Sequence, residues 1–176
     1  MDTLSLKYTD ERDKAYGIVG MALTLVTSGN EQLISAIALD DADGCHIHMV
    51  PDFGFSQNPR MSAKIIWAQS IKDLRAVTSM VLGNIACRRQ LLKSRPIERE
   101  TLAMLENLVR EQATEYCALD KDEAELLFDS CHRYVRRLFD SVGMQRVARS
   151  FCDRIVERRN MSAVEVVEYL ASLGLR

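Results

Sequence analysis

The sequence predicts a mainly α-helical protein, an irregular bundle of about six helices with one β-hairpin inserted between helices 1 and 2. Apolar residues recur at spacings of three and four along most of the chain, which is the period of a helix with one buried face. Residues 33–50 depart from this period, because branched residues alternate there on either side of a turn sequence. A chain of 176 residues can bury one core, so we expect a single helical domain over residues 1–176.

The first predicted helix covers residues 10–28. Thr9 is placed to cap its N-terminus, and the acidic residues of DERD suit the positive end of the helix dipole. The sequence SGN then ends the helix with a glycine C-cap. A hairpin follows over residues 33–50, where LISAIALD leads through the turn DADG into CHIHMV. Because an isolated hairpin is marginal in water, its apolar face should lie on helices or pair with another chain.

The longest predicted helix covers residues 59–93. Asn58 as N-cap and Pro59 at the first helical position form a favourable helix start. An unbroken helix of this length would span about 50 Å at 1.5 Å per residue, which exceeds the width of a compact domain of this size. We therefore expect the helix either to kink near Gly83 or to project from the bundle. A projecting helix with an apolar stripe usually binds a partner helix, often from an identical subunit.

Four further helices complete the predicted bundle, over residues 97–118, 121–141, 144–159 and 162–173. Asp120 with Glu123, and Ser162 with Glu165, have the spacing of a capping box at the start of the second and the last of these helices. Gly143 separates the second from the third. The pattern therefore places a helix boundary at each of these positions.

The cysteine pattern and the hydropathy indicate the cellular compartment of the protein. The five cysteines are odd in number, widely spaced and never arranged as C-x-x-C, which fits neither a disulfide framework nor a zinc ribbon. The apolar run over residues 16–26 is shorter than the roughly 20 residues that span a bilayer. It also lacks the positive flank and the cleavage site of a secretory signal. We expect a soluble cytoplasmic protein with reduced thiols and no membrane attachment.

Charge alternates in sign along the chain. Residues 1–57 and 97–130 are acidic overall, whereas residues 58–95 and 131–160 are basic. Consecutive helices usually pack together, so opposite charges should meet along helix seams, within the fold or across a symmetric interface. An exposed ion pair contributes only about 0 to 1 kcal/mol, so the pattern selects register more than it stabilises the fold.

Two short stretches carry residues of the kind that bind metals or act in catalysis. His46 and His48 stand two apart on a predicted strand and point the same way, which makes them candidate metal ligands. Cys45 would point to the opposite face, and no second cluster supplies the remaining ligands. Cys131 and His132 are adjacent on a predicted helix, where neighbouring side chains diverge and cannot form a dyad. The sequence also contains no glycine-rich phosphate-binding motif. From these observations together we predict no metal site, no catalytic residue and no cofactor.

The second basic block offers candidate nucleic-acid contacts, namely Arg133, Arg136, Arg137, Arg146 and Arg149. Asp153 follows Arg149 by four residues and Asp129 precedes Arg133 by four, and residues so spaced can pair on a helix face. The formal net charge is −2 and the pI is near 5.9, whereas nucleic-acid-binding domains are typically strongly basic. Nucleic-acid binding is therefore possible but not favoured.

These patterns favour a non-enzymatic, cytoplasmic helical interaction or scaffold protein that acts through protein–protein contacts as a homodimer. The predicted interface residues lie on the long helix and on the loop before it: Trp67, Ile71, Leu74, Val81, Phe53 and Phe55. Two alternatives stay open. One is a nucleic-acid-binding regulatory protein that uses the arginine-rich helices of residues 131–160, and the other is a metal-binding protein or hydrolase that uses the hairpin histidines.

Overall fold

Six α-helices and a three-stranded antiparallel sheet form the described part of the chain, which confirms the mainly α-helical class. The computed structural model describes residues 7–41, 44, 46–51, 53 and 62–175. The elements in chain order are α1 (Glu11–Thr27), β1 (Ile34–Ala38), β2 (Ile47–Met49), α2 (Ala63–Ala86), α3 (Arg99–Cys117), α4 (Lys121–Asp140), α5 (Val142–Arg158), β3 (Asn160–Ser162) and α6 (Ala163–Ser172). A 3₁₀ turn precedes β1, and a π-helical segment, Cys87–Leu92, follows α2. None of the described helices combines the length and apolar character that a membrane crossing requires.

The predicted hairpin is present, and a third strand that the sequence pattern did not predict extends it. β1 is the central strand and pairs antiparallel with β2 on one side and with β3 on the other. Ile37 of β1 lies opposite Ile47 of β2 and Met161 of β3, and all three side chains are buried. α1 contacts the hairpin strands and α6 contacts β1 and β3. Helices therefore cover the apolar face of the hairpin, as its marginal stability in water requires.

α1 lies at the centre of the bundle. Every residue from 15 to 25 is buried, and the helix packs against α2 and α5. Where α1 crosses α2, Gly20 faces Gly83, and a Cβ atom on Gly20 would lie 2.6 Å from the carbonyl carbon of Gly83. The two missing side chains let the helix backbones touch. Gly83 is thus a contact residue, and α2 continues past it without the break that its sequence position suggested.

α2 is buried in its second half and exposed at its start. Ser62 caps the helix, and its hydroxyl accepts a hydrogen bond from the amide of Ile65 at 3.4 Å. The helix therefore begins later than predicted, and the predicted start at Asn58 and Pro59 lies outside the described residues. Most residues of the first two turns are exposed, while the second half packs against α1 and α4. The long helix is therefore buried in the core over its second half and mostly exposed over its first two turns.

The helix caps agree with the sequence in most places. Both predicted capping boxes form, at the starts of α4 and α6. At α1 the prediction is one residue wrong, because Asp10 rather than Thr9 is the N-cap and its carboxylate accepts from the amide of Asp13 at 2.8 Å. Gly143 lies inside α5, which begins at Val142, rather than before it.

Oppositely charged blocks form ion pairs with one another within this chain. Arg159, just after α5, donates to Glu11 at 2.8 Å and forms a bidentate pair with Asp40 after β1. Arg88, in the π-helical segment, pairs with Asp13 of α1. The acidic first block is thus joined to both basic blocks, as the charge pattern predicts.

Candidate functional site

A buried polar cluster joins the chain before α1 to the π-helical segment. The carboxylate of Asp13 is fully buried, and Arg88 donates to its two oxygens from Nε at 2.8 Å and from Nη2 at 2.6 Å. The amide of Thr9 donates to the same carboxylate at 2.9 Å, and the ammonium of Lys93 lies 3.8 Å away. Burial alone would raise the pKa of Asp13, but these hydrogen bonds and charges bring it down to about 2. Asp13 is therefore ionised at neutral pH.

Two polar side chains extend this cluster. Asn84 donates from Nδ2 to the hydroxyl of Tyr8 at 3.0 Å, and the guanidinium of Arg88 lies 4.6 Å from the centre of the Tyr8 ring. Arg88 also donates to the backbone carbonyl of Lys7 at 2.9 Å. We name Tyr8, Asp13, Asn84 and Arg88 the Asp13 cluster. Because its charges are satisfied by protein partners, the cluster holds the chain before α1 against the helices and does not offer a reactive group.

The hairpin histidines do not lie on one face of a strand. His46 is buried, with Nδ1 3.1 Å from the carbonyl oxygen of Ala38 and its ring beside Tyr8, at 5.6 Å between ring centres. Burial lowers the pKa of His46. The sequence places His46 in the alternation of the second strand, but β2 begins only at Ile47, so His46 lies outside the regular pleat and turns inward. His46 therefore acts as a core residue.

His48 is engaged elsewhere. Its Nε2 lies 2.9 Å from the carboxylate of Asp41, across the hairpin and near the surface. Cys45, the third residue of the candidate metal cluster, lies outside the described residues. Within the ranges that the structure describes, no group of three or more His, Cys, Asp or Glu residues is arranged to hold a metal ion.

Cys131 and His132 point apart, as their adjacent positions on a helix predict. The thiol of Cys131 is buried and donates to the carbonyl of Arg75 at 3.8 Å, and burial raises its pKa. The ring of His132 stacks on Phe128, with 6.2 Å between ring centres. The thiol is therefore protonated and has no base beside it, which is the opposite of what a nucleophile needs.

The candidate nucleic-acid arginines of α4 and α5 are exposed: Arg133, Arg136, Arg137, Arg146 and Arg149. Arg136 lies 3.7 Å from Asp140, but Arg149 forms no ion pair with Asp153 in the described chain. Arg133 donates from Nε to the backbone carbonyl of Asp129 at 3.3 Å, not to its carboxylate. The i, i+4 spacing in the sequence therefore predicts more ion pairs with these arginines than the structure contains among its described residues.

A cavity of about 550 Å³ opens where the end of α1 meets α2 and α4. Its lining is more apolar than polar in surface but carries two cations, and the lining residues include Ser28, Asn30, Lys72, Arg75, Ser79 and Tyr134. Sequence reasoning missed this site, because its residues come from three elements that are distant in the chain and form no motif. The sequence offered one signal of this site, namely the i, i+3 spacing of Lys72 and Arg75, which places two cations on one face of a helix.

Two large apolar side chains are exposed at the start of α2. Ile65 is 52% exposed and Trp67 is 49% exposed. The indole N–H of Trp67 donates to the carbonyl of Cys117 at 2.6 Å, which anchors the ring at the end of α3, where Tyr116 is also exposed. We define the α2–α3 patch as Lys64, Ile65, Trp67, Glu115 and Tyr116.

The predicted interface residues divide between this surface and the core. Trp67 belongs to the α2–α3 patch, whereas Leu74 is fully buried. Ile71 and Val81 are partly buried and pack against the core. Phe53 is partly buried, and Phe55 lies outside the described residues. Sequence reasoning missed Ile65 because it lies off the apolar stripe of α2, which is the very reason that it is exposed.

Three features of the described residues therefore bear on function: the α2–α3 patch, the exposed arginines of α4 and α5, and the cavity between α1, α2 and α4. Comparison of the chain with protein-family models, with curated proteins and with solved structures found no match.

Proposed function

We propose that this chain is a non-enzymatic helical interaction protein that self-associates through the α2–α3 patch. The observation that supports the proposal best is the exposure of Ile65 and Trp67 on the first two turns of a helix whose second half is buried. Burying apolar surface is favourable by about 25 cal/mol per Å². Tryptophan is also enriched among the residues that dominate the energy of protein interfaces.

The geometry of the patch suits binding to helices. Trp67 is held in one orientation by its hydrogen bond to α3, so it loses little side-chain freedom when a partner covers it. Ile65 lies two residues earlier, about 200° around the helix from Trp67 at 100° per residue. A partner must therefore contact the helix from two sides, as a pair of helices in a second copy of the chain would.

Charge at the rim favours a second copy as the partner. Lys64 lies beside Ile65, and Glu115 lies beside Tyr116. Neither charged side chain forms an ion pair within the described residues, although both are exposed. In a two-fold arrangement that pairs Lys64 with the partner subunit's Glu115, the same contact would form twice. Such complementary pairs select the partner and the register of an interface.

We expect Ile65→Glu to abolish self-association, because a carboxylate would replace an apolar side chain that the partner is proposed to bury. The molar mass of each protein is measured by size-exclusion chromatography with light scattering over a range of concentrations. Val164→Glu is the matched control, since Val164 is also an exposed apolar residue, on α6 and away from the patch. The wild type and the control should show the mass of a dimer, and Ile65→Glu should show that of a monomer. A wild type that stays monomeric throughout would contradict the proposal.

A charge exchange distinguishes a second copy from an unrelated partner. Lys64→Glu and Glu115→Lys should each weaken the dimer, because each places like charges opposite one another. The double variant should restore dimerisation, since the pair is re-formed with its signs reversed. Failure of the double variant to recover any affinity would count against the two-fold arrangement.

We also propose a cytoplasmic location. The cysteines that the structure describes are all buried free thiols, namely Cys87, Cys117, Cys131 and Cys152. Burial raises the pKa of each of them, so they remain protonated. Unpaired thiols that serve as small apolar core residues suit a reducing compartment.

A nucleic-acid partner is the second candidate. Arg137, Arg146 and Arg149 are exposed on neighbouring helices and form no ion pair within the described residues, so they present uncompensated positive charge. Binding of this kind would weaken steeply with added salt. Self-association through Ile65 and Trp67 would not weaken steeply with added salt, because the burial of apolar surface dominates it.

A further inference from the structure

We infer that the cavity between α1, α2 and α4 binds a small organic phosphate. The cavity shares no residue with the α2–α3 patch, so this inference goes beyond the proposed self-association and does not depend on it. Its volume of about 550 Å³ falls within the range of roughly 300 to 1,000 Å³ that is typical of small-molecule sites. It is too large for a phosphate ion alone, so the ligand should also carry an organic part.

Two cations flank the cavity on one side of α2. Lys72 and Arg75 are exposed, lie three residues apart, and therefore share a face of the helix. Neither forms an ion pair or a side-chain hydrogen bond in the part of the chain that the structure describes. Like charges at this spacing repel each other, and an anion bound between them would remove that repulsion. The planar guanidinium of Arg75 also matches the geometry of phosphate oxygens.

The part of the wall that follows α1 supplies polar groups to orient the organic part. Asn30 is buried, and its Nδ2 donates to the hydroxyl of Ser28 at 2.9 Å. Its Oδ1 is buried and accepts no hydrogen bond within the described residues. A buried acceptor without a donor is costly. Because Oδ1 is enclosed, a ligand hydroxyl group would satisfy it only after the Asn30 side chain turns towards the cavity. The ligand is therefore expected to carry a hydroxyl group as well as a phosphate.

The negative end of α1 does not oppose an anion here. The carbonyl of Thr24 accepts from the amide of Ser28 at 3.2 Å and from the hydroxyl of Tyr134 at 3.4 Å. The carbonyl of Leu25 accepts from the amide of Asn30 at 2.9 Å. These last-turn carbonyls are therefore capped by protein donors, which weakens their field in the cavity.

The donors favour a phosphate over a carboxylate. Lysine carries three N–H donors and arginine five, whereas a carboxylate offers two oxygens and a single negative charge. A phosphate monoester has three terminal oxygens and a charge of about −1.5 to −2 at pH 7, which matches the two cations. Ser79 adds a hydroxyl group from the next turn of α2. A phosphate can therefore engage both cations at once.

Calorimetric titration of the 176-residue chain with three compounds that share a carbon skeleton tests the inference. Glycerol 3-phosphate should bind with a Kd below about 1 mM, glycerate should bind at least tenfold more weakly, and glycerol should give no signal. Inorganic phosphate is the fourth probe, and it should bind more weakly than glycerol 3-phosphate because it leaves the polar wall unused. Equal binding of glycerate and glycerol 3-phosphate would overturn the assignment of a phosphate ligand.

Substitutions locate the site. Arg75→Gln and Lys72→Gln should each weaken the binding of glycerol 3-phosphate by about tenfold or more, because each removes a charge-assisted hydrogen bond. Arg146→Gln is the matched control, since Arg146 is an exposed, unpaired arginine on α5, and it should bind like the wild type. Ile65→Glu should also retain full binding, which separates this inference from the proposed self-association. Wild-type affinity in Arg75→Gln, or no binding of either phosphate probe, would overturn the inference.

Discussion

Asp13→Ala should lower the free energy of unfolding by about 3 to 5 kcal/mol. The substitution leaves the guanidinium of Arg88 without its bidentate partner, and that side chain is only 12% exposed. Removing one member of a buried ion pair is strongly destabilising, because the remaining charge stays buried without compensation. Urea unfolding followed by circular dichroism measures the loss. Glu11→Ala is the control, since the exposed pair that it breaks with Arg159 should contribute no more than about 1 kcal/mol.

The free energy of unfolding should also depend on pH through the Asp13 carboxylate. The folded pKa of Asp13 is about 2, below its ordinary value of 3.8, so its carboxylate stabilises the fold above that ordinary value. This stabilisation should be lost as the pH falls from about 4 towards 2, because both states then become protonated. The difference in stability between wild type and Asp13→Asn should shrink over the same interval. A difference that stays constant down to pH 2 would show that the Asp13 carboxylate is not held ionised by Arg88.

Gly20→Ala should destabilise the protein by about 3 kcal/mol, although alanine is the better helix former by about 1 kcal/mol. The added Cβ would overlap the carbonyl group of Gly83 and lie 2.7 Å from the Cβ of Cys87. Backbone atoms cannot turn aside as a flexible side chain can, so α1 and α2 would have to separate. The midpoint of urea unfolding should fall accordingly.

Gly143→Ala is the matched control for this substitution. Gly143 also lies in a helix, but the nearest atom to its added Cβ would be the hydroxyl of Ser141 at 3.8 Å, an ordinary contact. Alanine there should stabilise the protein by about 0.5 to 1 kcal/mol. Opposite signs at the two glycines would confirm that helix contact, and not helix propensity, governs Gly20. Equal effects at both would contradict the close packing of α1 on α2.

Most helices could be predicted because their determinants are local. Apolar spacing and capping boxes involve residues within a turn or two of one another, so the starts of α4 and α6 are predicted closely. β3 could not be predicted in this way. It has three residues, too few to show alternation, and its partner strand β1 lies more than a hundred residues earlier in the chain.

The candidate sites depend on contacts that a single sequence does not display. His46 looks like a strand residue, but the position of Tyr8 and the late start of β2 bury it. The charge blocks predict that acidic and basic segments meet, yet they do not show that Arg88 would pair with Asp13. The apolar stripe of α2 similarly indicates burial without showing that its first two turns are exposed. Which apolar side chains stay exposed depends on how the helices pack, and a single sequence does not show that packing.

Amide hydrogen exchange at low and high protein concentration tests the role of the α2–α3 patch most directly. Amides of residues 63–69 should exchange more slowly at high concentration if the proposed dimer forms, and this protection should disappear in Ile65→Glu. Exchange of α6 should not depend on concentration. If residues 63–69 exchange at the same rate at every concentration, or if protection appears elsewhere while α2 is unaffected, the start of α2 is not the surface through which this protein associates.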